Sequence, residues 1–225
     1  MKLWKKIALG SATVLAITSL AACGSGASGS KSGTAANGHV LTFGKPDGPQ
    51  TNNSNPFLGT SAAAVQGYRF AIYEPLVQVN DMVPTQKPEG WLATKWEWNT
   101  DYTQVKFTIR DGVKWSDGQK LTAKDVAYTF NLIKDNAALN TGSIPFGDIS
   151  TSGNVVTINF TSNQFVHTQA IYQQFIVPEH IWKKQNPSKF TNQNPVGAGP
   201  YVLKSWSTQG VTLTANPNYW GGKVK

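Results

Sequence analysis

The chain has 225 residues, with 20 Lys+Arg against 12 Asp+Glu for a formal net charge of +8; it is 40% hydrophobic and 14% charged. Eight Trp and ten Phe supply enough apolar area for a core, which excludes wholesale disorder, and the single Cys excludes a disulfide-stapled scaffold. Lys2, Lys5 and Lys6 carry part of the charge. From Cys23 onward 17 basic and 12 acidic residues leave +5, scattered among one another, which speaks against a nucleic-acid partner.

The chain opens with those three lysines and the mostly apolar run from Ile7 to Leu20. At 14 residues this run is too short to span a hydrocarbon core, which needs about 20. A positive start, a short apolar segment and then small residues is the order of a secretory signal peptide, placed at residues 1–22. Leu20-Ala21-Ala22-Cys23 resembles the lipobox of bacterial lipoproteins. That resemblance implies cleavage before Cys23, a diacylglyceryl group on its thiol, and anchoring on the extracytoplasmic face of the cell membrane. Two acyl chains hold a protein stably on a bilayer where one gives marginal binding. Residues 23–38 are Gly/Ser-rich without aromatic residues and predict a flexible linker. Folded sequence is expected over residues 39–225.

His39-Val40-Leu41-Thr42-Phe43 predicts a first strand. Asp47 to Leu58, with Gly, Pro and three Asn, predicts a loop, and Ser61 to Leu76 a helix with Ala63, Ala64, Tyr68, Ala71 and Ile72 near one face. Trp96-Glu97-Trp98 alternates, Asn99 to Asp101 turns, and Val105, Phe107 and Ile109 alternate with polar residues. Asp111-Gly112 and Asp117-Gly118 are turn dipeptides. Thr122 and Asp125 have capping-box spacing ahead of a helix carrying Val126, Phe130, Ile133 and Ala137. Val156, Ile158 and Phe160 predict another strand, Pro178 to Trp182 a short helix, and Tyr201 to Ala215 a closing hairpin around Gln209-Gly210. The fold class is α/β or mixed α+β, with a mixed sheet.

Chemistry-bearing patterns are scarce. His39, His167 and His180 lie outside metal-clip spacing of one another, so no metal or cofactor is expected. Gly197-Ala198-Gly199 runs straight into Pro200 and does not open a phosphate-binding helix in the usual way. Asp111 and Asp117 precede Gly in turns, which is reason enough for Asp there. The pattern points away from catalysis and toward binding by aromatic walls and polar loops.

Three stretches carry a resemblance: Ile72 to Val77 (IYEPLV) with Trp91 to Trp98 (WLATKWEW); Phe107 to Phe130 (FTIRDGVKWSDGQKLTAKDVAYTF); and Asn194 to Trp206 (NPVGAGPYVLKSW) with Asn216 to Gly222 (NPNYWGG). Together they resemble extracellular solute-binding proteins of family 5, the oligopeptide- and dipeptide-binding components of ABC importers. One departure is Ala198, where the family usually has Thr. The resemblance implies a type II periplasmic-binding-protein-like fold of which this chain holds the first lobe, an N-terminal fragment ending before the second. It implies a monomer that works with an ABC permease and captures short peptides outside the cytoplasmic membrane. Oligosaccharide is the alternative ligand within the family, and a secreted cell-wall carbohydrate hydrolase using two acids the alternative outside it. Affinity in a clamshell comes from contacts only the closed state makes, so this polypeptide alone is expected to bind weakly or not at all.

The resemblance also places Asn55, Phe57, Tyr73 and Glu74 along the ligand groove, with Trp91 as an outer candidate. Asn offers donors and acceptors, and the aromatics offer flat apolar walls. Asn55-Pro56 is equally a turn starter, and Trp91 equally a core residue. Trp115 and Trp220 are expected in the core.

Overall fold

The computed structural model describes residues 40–44, 48–83 and 85–224, and every element falls within the unit Thr42–Lys225. The signal peptide at 1–22, the lipidation site Cys23, the linker at 23–38 and His39 lie outside the described residues. The predicted first strand does not form: residues 40–44 have no strand pairing, and Val40, Leu41 and Phe43 are exposed. A strand needs a neighbour to satisfy its amides, and no described strand pairs with this segment.

The helix expected over Ser61 to Leu76 is two short pieces, α1 (Ala62–Val65) and α2 (Arg69–Ile72). Ser61 caps α1 by accepting from the Ala64 amide. Gly67 between them takes φ +82°, a left-handed conformation that breaks the helical path. After α2 the chain pairs β1 (Val77–Gln78) with β2 (Glu89–Gly90).

The predicted alternation then builds the main sheet. β3 (Ala93–Trp98) and β4 (Gln104–Ile109) pair antiparallel across the turn, and Val105, Phe107 and Ile109 are buried while Lys106 faces water. Gly112 and Gly118 adopt positive φ in the two Asp-Gly turns. α3 (Ala123–Lys134) starts at the expected box: the Thr122 side chain accepts from the Lys124 amide, and the Asp125 carboxylate accepts from the Thr122 amide at 2.9 Å. Val126, Phe130 and Ile133 are buried, but Ala137 lies past the helix end and is exposed.

β5 (Phe146–Ser152) and β6 (Val155–Phe160) form a hairpin, and β6 inserts beside β4, giving the order β3-β4-β6-β5. α3 packs on this hairpin, closing the core over Phe107, Trp115, Phe130, Val156 and Ile158. A 3-10 turn at Phe165–His167 leads into α4 (Thr168–Tyr172), and Pro178 stands just ahead of α5 (Glu179–Trp182). The closing hairpin is β7 (Tyr201–Ser207) and β8 (Gly210–Ala215). Every strand pairing is antiparallel among the described residues, which form a four-stranded sheet and two separate two-stranded sheets in place of the expected mixed sheet.

A second apolar cluster, including Ala63, Tyr68, Ile72, Tyr73, Phe175, Val177 and Trp182, lies beside the first. Asp125 and Thr129 join the two: Asp125 Oδ1 accepts from the Glu179 amide at 3.1 Å, and Thr129 Oγ1 accepts from the Val177 amide at 3.1 Å. The Gly-Ala-Gly run crosses α2 at backbone distance. A Cβ on Gly197 would stand 1.9 Å from the Ile72 carbonyl oxygen, and the Gly199 amide donates to that same oxygen at 2.9 Å. Ala198 between them is fully buried, which suits a small side chain.

Candidate functional site

The polar loop that precedes α1 is tied to the protein at several residues between Gln50 and Phe57. Its Ser54 amide donates to the Thr191 carbonyl at 2.7 Å, and the Gln50 amide to Thr208 at the hairpin tip at 2.9 Å. Asn55 is fully buried: Nδ2 donates to the Pro187 and Phe190 carbonyls, both at 2.8 Å, while Oδ1 accepts from the Phe57 amide at 2.9 Å. The Tyr73 hydroxyl, also fully buried, donates to the Ser54 carbonyl at 2.7 Å and accepts from Asn192 Nδ2 at 2.8 Å. Burial drives the Tyr73 pKa far upward, keeping it a neutral phenol. The side chains of Asn55 and Tyr73 therefore hold the loop in shape and have no polar atom free. Phe57 is half-buried and sets its ring edge-on to Trp182, 5.1 Å between centroids.

Glu74, the residue after Tyr73, meets Trp91 instead of the loop. Trp91 Nε1 donates to Glu74 Oε2, and the Trp91 ring stands edge-on to Trp220 at 5.1 Å. Arg110 completes the group, with Nε donating to the Trp91 carbonyl at 2.8 Å and its guanidinium 4.6 Å from the centre of the Trp220 ring. Glu74 is 3% exposed, and among the described residues its Oε1 has no hydrogen-bond partner. Burial raises its carboxyl to about 7, against the Trp91 donor and the nearby Tyr219 hydroxyl, which favour the ionised form. Trp115 is a core residue as expected, and Trp220 is half-buried against that core.

The five predicted residues thus fall in two groups, Asn55–Phe57–Tyr73 around the loop and Glu74–Trp91 beneath Trp220. Sequence reasoning missed Arg69, Asn192 and Tyr219. Asn192 meets Tyr73 across 119 positions, a juxtaposition that no local pattern announces. Among the described residues no cluster of three or more His, Cys, Asp and Glu is arranged to hold a metal ion.

The profile of the bacterial extracellular solute-binding proteins, family 5 Middle, matches residues 87–225. The chain belongs to this family. The oligopeptide-binding protein OppA of Bacillus subtilis is 32% identical over 241 aligned residues, covering 92% of this chain and 42% of that protein. Protein XP55 of Streptomyces lividans is 38% identical over 131 residues, covering 55% of this chain and 23% of that one. Among solved structures, the mannohexaose-bound periplasmic oligopeptide-binding protein of Thermotoga maritima superposes with a TM-score of 0.65 at 30% identity, over 77% of this chain and 32% of that one. The family 5 chain therefore spans less than half the length of these relatives.

Its family members are binding proteins of ABC importers, and the mixed α and β elements are those of their fold. The loop and the IYEP segment are held in place by hydrogen bonds within the chain itself.

Proposed function

We propose that this chain belongs to the substrate-binding component of an ABC importer and contributes one wall of a site that captures short peptides outside the cytoplasmic membrane. The observation that carries the reading is the alignment with the oligopeptide-binding protein of B. subtilis along 92% of the chain. The wall is the loop through Phe57, supported from below by Asn55 and Tyr73, together with the Glu74–Trp91 group. A rigid, hydrogen-bonded loop suits a receptor that recognises backbone groups, because its cost of ordering is met in folding. The partner is a permease in the membrane, and the protein works as a monomer. Uptake of labelled tri-alanine by cells deleted for this gene tests the reading. Uptake should fall and return on complementation; undiminished uptake contradicts it.

A second ligand class has a specific observation in its favour, since the similar T. maritima protein was solved with mannohexaose. Flat aromatic walls serve sugar rings as well as peptide planes. Loss of mannohexaose uptake with tri-alanine uptake intact would favour the sugar.

The anchor is part of the same proposal. Residues 1–22 direct export, Cys23 carries the lipid, and 23–38 tether the folded body near the permease. Cys23→Ala should move the protein from the membrane fraction to the medium; retention in the membrane fraction contradicts the anchor.

A further inference from the structure

We infer that Arg69, flanked by the rings of Phe70 and Phe175, is an anchoring point for a carboxylate of the captured solute. The inference deepens the solute-capture reading and rests on it.

Arg69 opens α2, directly across from the loop that forms the proposed wall. Its guanidinium carries five N–H groups, yet among the described residues it makes one hydrogen bond, a long one of 3.4 Å from Nη1 to the Pro56 carbonyl. Its Nε is buried without a partner. Among the described residues no carboxylate forms an ion pair with it. A half-buried cation without a counter-charge is unusual in a finished structural role, because desolvation disfavours the charge and only one long hydrogen bond and two flanking rings offset it. The same burial lowers the Arg69 pKa, though an arginine stays protonated.

Two aromatic rings hold the group in place. Its Cζ lies 5.1 Å from the Phe70 ring centre and 5.6 Å from that of Phe175, and the rings meet each other edge-on at 5.3 Å. Phe175 is buried, but Phe70 is 64% exposed, a large apolar face with no partner on its outer side. The arrangement offers a planar cation with unused donors beside an open aromatic shelf. A carboxylate meets such a cation through two parallel charge-assisted bonds, and the chain bearing it lies along the Phe70 ring. The solute class is therefore one with a free acid, on the capture reading a peptide with its C-terminal carboxylate.

The test compares N-acetyl-tri-alanine with its C-terminal amide, titrated into the 15N-labelled 225-residue chain and followed by NMR. The acid should shift the Arg69 Nε–H and Phe70 amide signals with at least tenfold higher affinity than the amide. Arg69→Gln should abolish that preference. Equal affinities in the wild type, or a preference surviving in Arg69→Gln, overturn the carboxylate anchor while leaving solute capture standing. Absence of any shift along residues 50–58 and 69–76 with either probe overturns both. Should Arg69→Gln fail to fold, the acid-against-amide comparison in the wild type decides.

Discussion

Glu74 couples the protein's stability to pH. Its carboxyl ionises around 4.5 in an open chain and at about 7 when folded, chiefly because burial disfavours the charge. The folded state holds the proton longer, so stability is greatest below about 4.5 and falls as pH rises toward 7. Glu74→Gln keeps an oxygen for the Trp91 donor and removes the buried charge. Thermal melts at pH 5 and pH 8 should show the wild type losing stability between them and the variant losing little. At pH 8 the variant should be the more stable by roughly 1–3 kcal/mol; a variant less stable than wild type at pH 8 contradicts the assignment. Tyr73 behaves differently, since its hydroxyl serves two buried partners. Tyr73→Phe leaves the Ser54 carbonyl and Asn192 amide unpaired and should cost about 1–3 kcal/mol in urea denaturation, with the slope unchanged.

Elements whose cause is local were legible in the sequence. β4 and β6 follow from strict alternation, α3 from its capping box and helical spacing, and the final hairpin from its turn. Where the cause was non-local the reading fell short. The stretch from Ser61 to Leu76 has helical spacing throughout, yet the left-handed turn at Gly67 divides it, and the packing of Gly197 and Gly199 on Ile72 needs α2 to end where it does. Residues 40–43 have strand composition but no described strand beside them. The candidate site shows the same division. The loop and the IYEP segment were found as stretches, but which side chains have free polar atoms depends on Pro187, Phe190 and Asn192, far along the chain. Gly197→Ala tests the crossing directly. A methyl group 1.9 Å from a carbonyl oxygen forces the backbones apart, and the variant should lose several kcal/mol (about 3 or more) or fail to fold. A melting temperature within 2–3 °C of wild type, a change of about 1 kcal/mol or less, would show that the run packs elsewhere.

As proposed, the chain forms a receptor wall, with apolar clusters joined through Asp125 and Thr129 and a loop tied down by Asn55 and Tyr73. On that proposal the wall holds a solute without altering it, and much of the affinity of a clamshell receptor comes from contacts that closure of a second wall adds. Affinity of the 225-residue chain for a short peptide should therefore be low, in the range of about 1 mM, worth about 4 kcal/mol. The most direct measurement is an NMR titration of the chain with penta-alanine, with the peptide recovered and weighed by mass spectrometry afterwards. The account predicts weak, saturable shifts confined to residues 50–58 and 69–76, and intact peptide. Shifts centred on the outer face of the sheet around Lys95 and Lys106, sub-micromolar affinity, or cleaved peptide would contradict it.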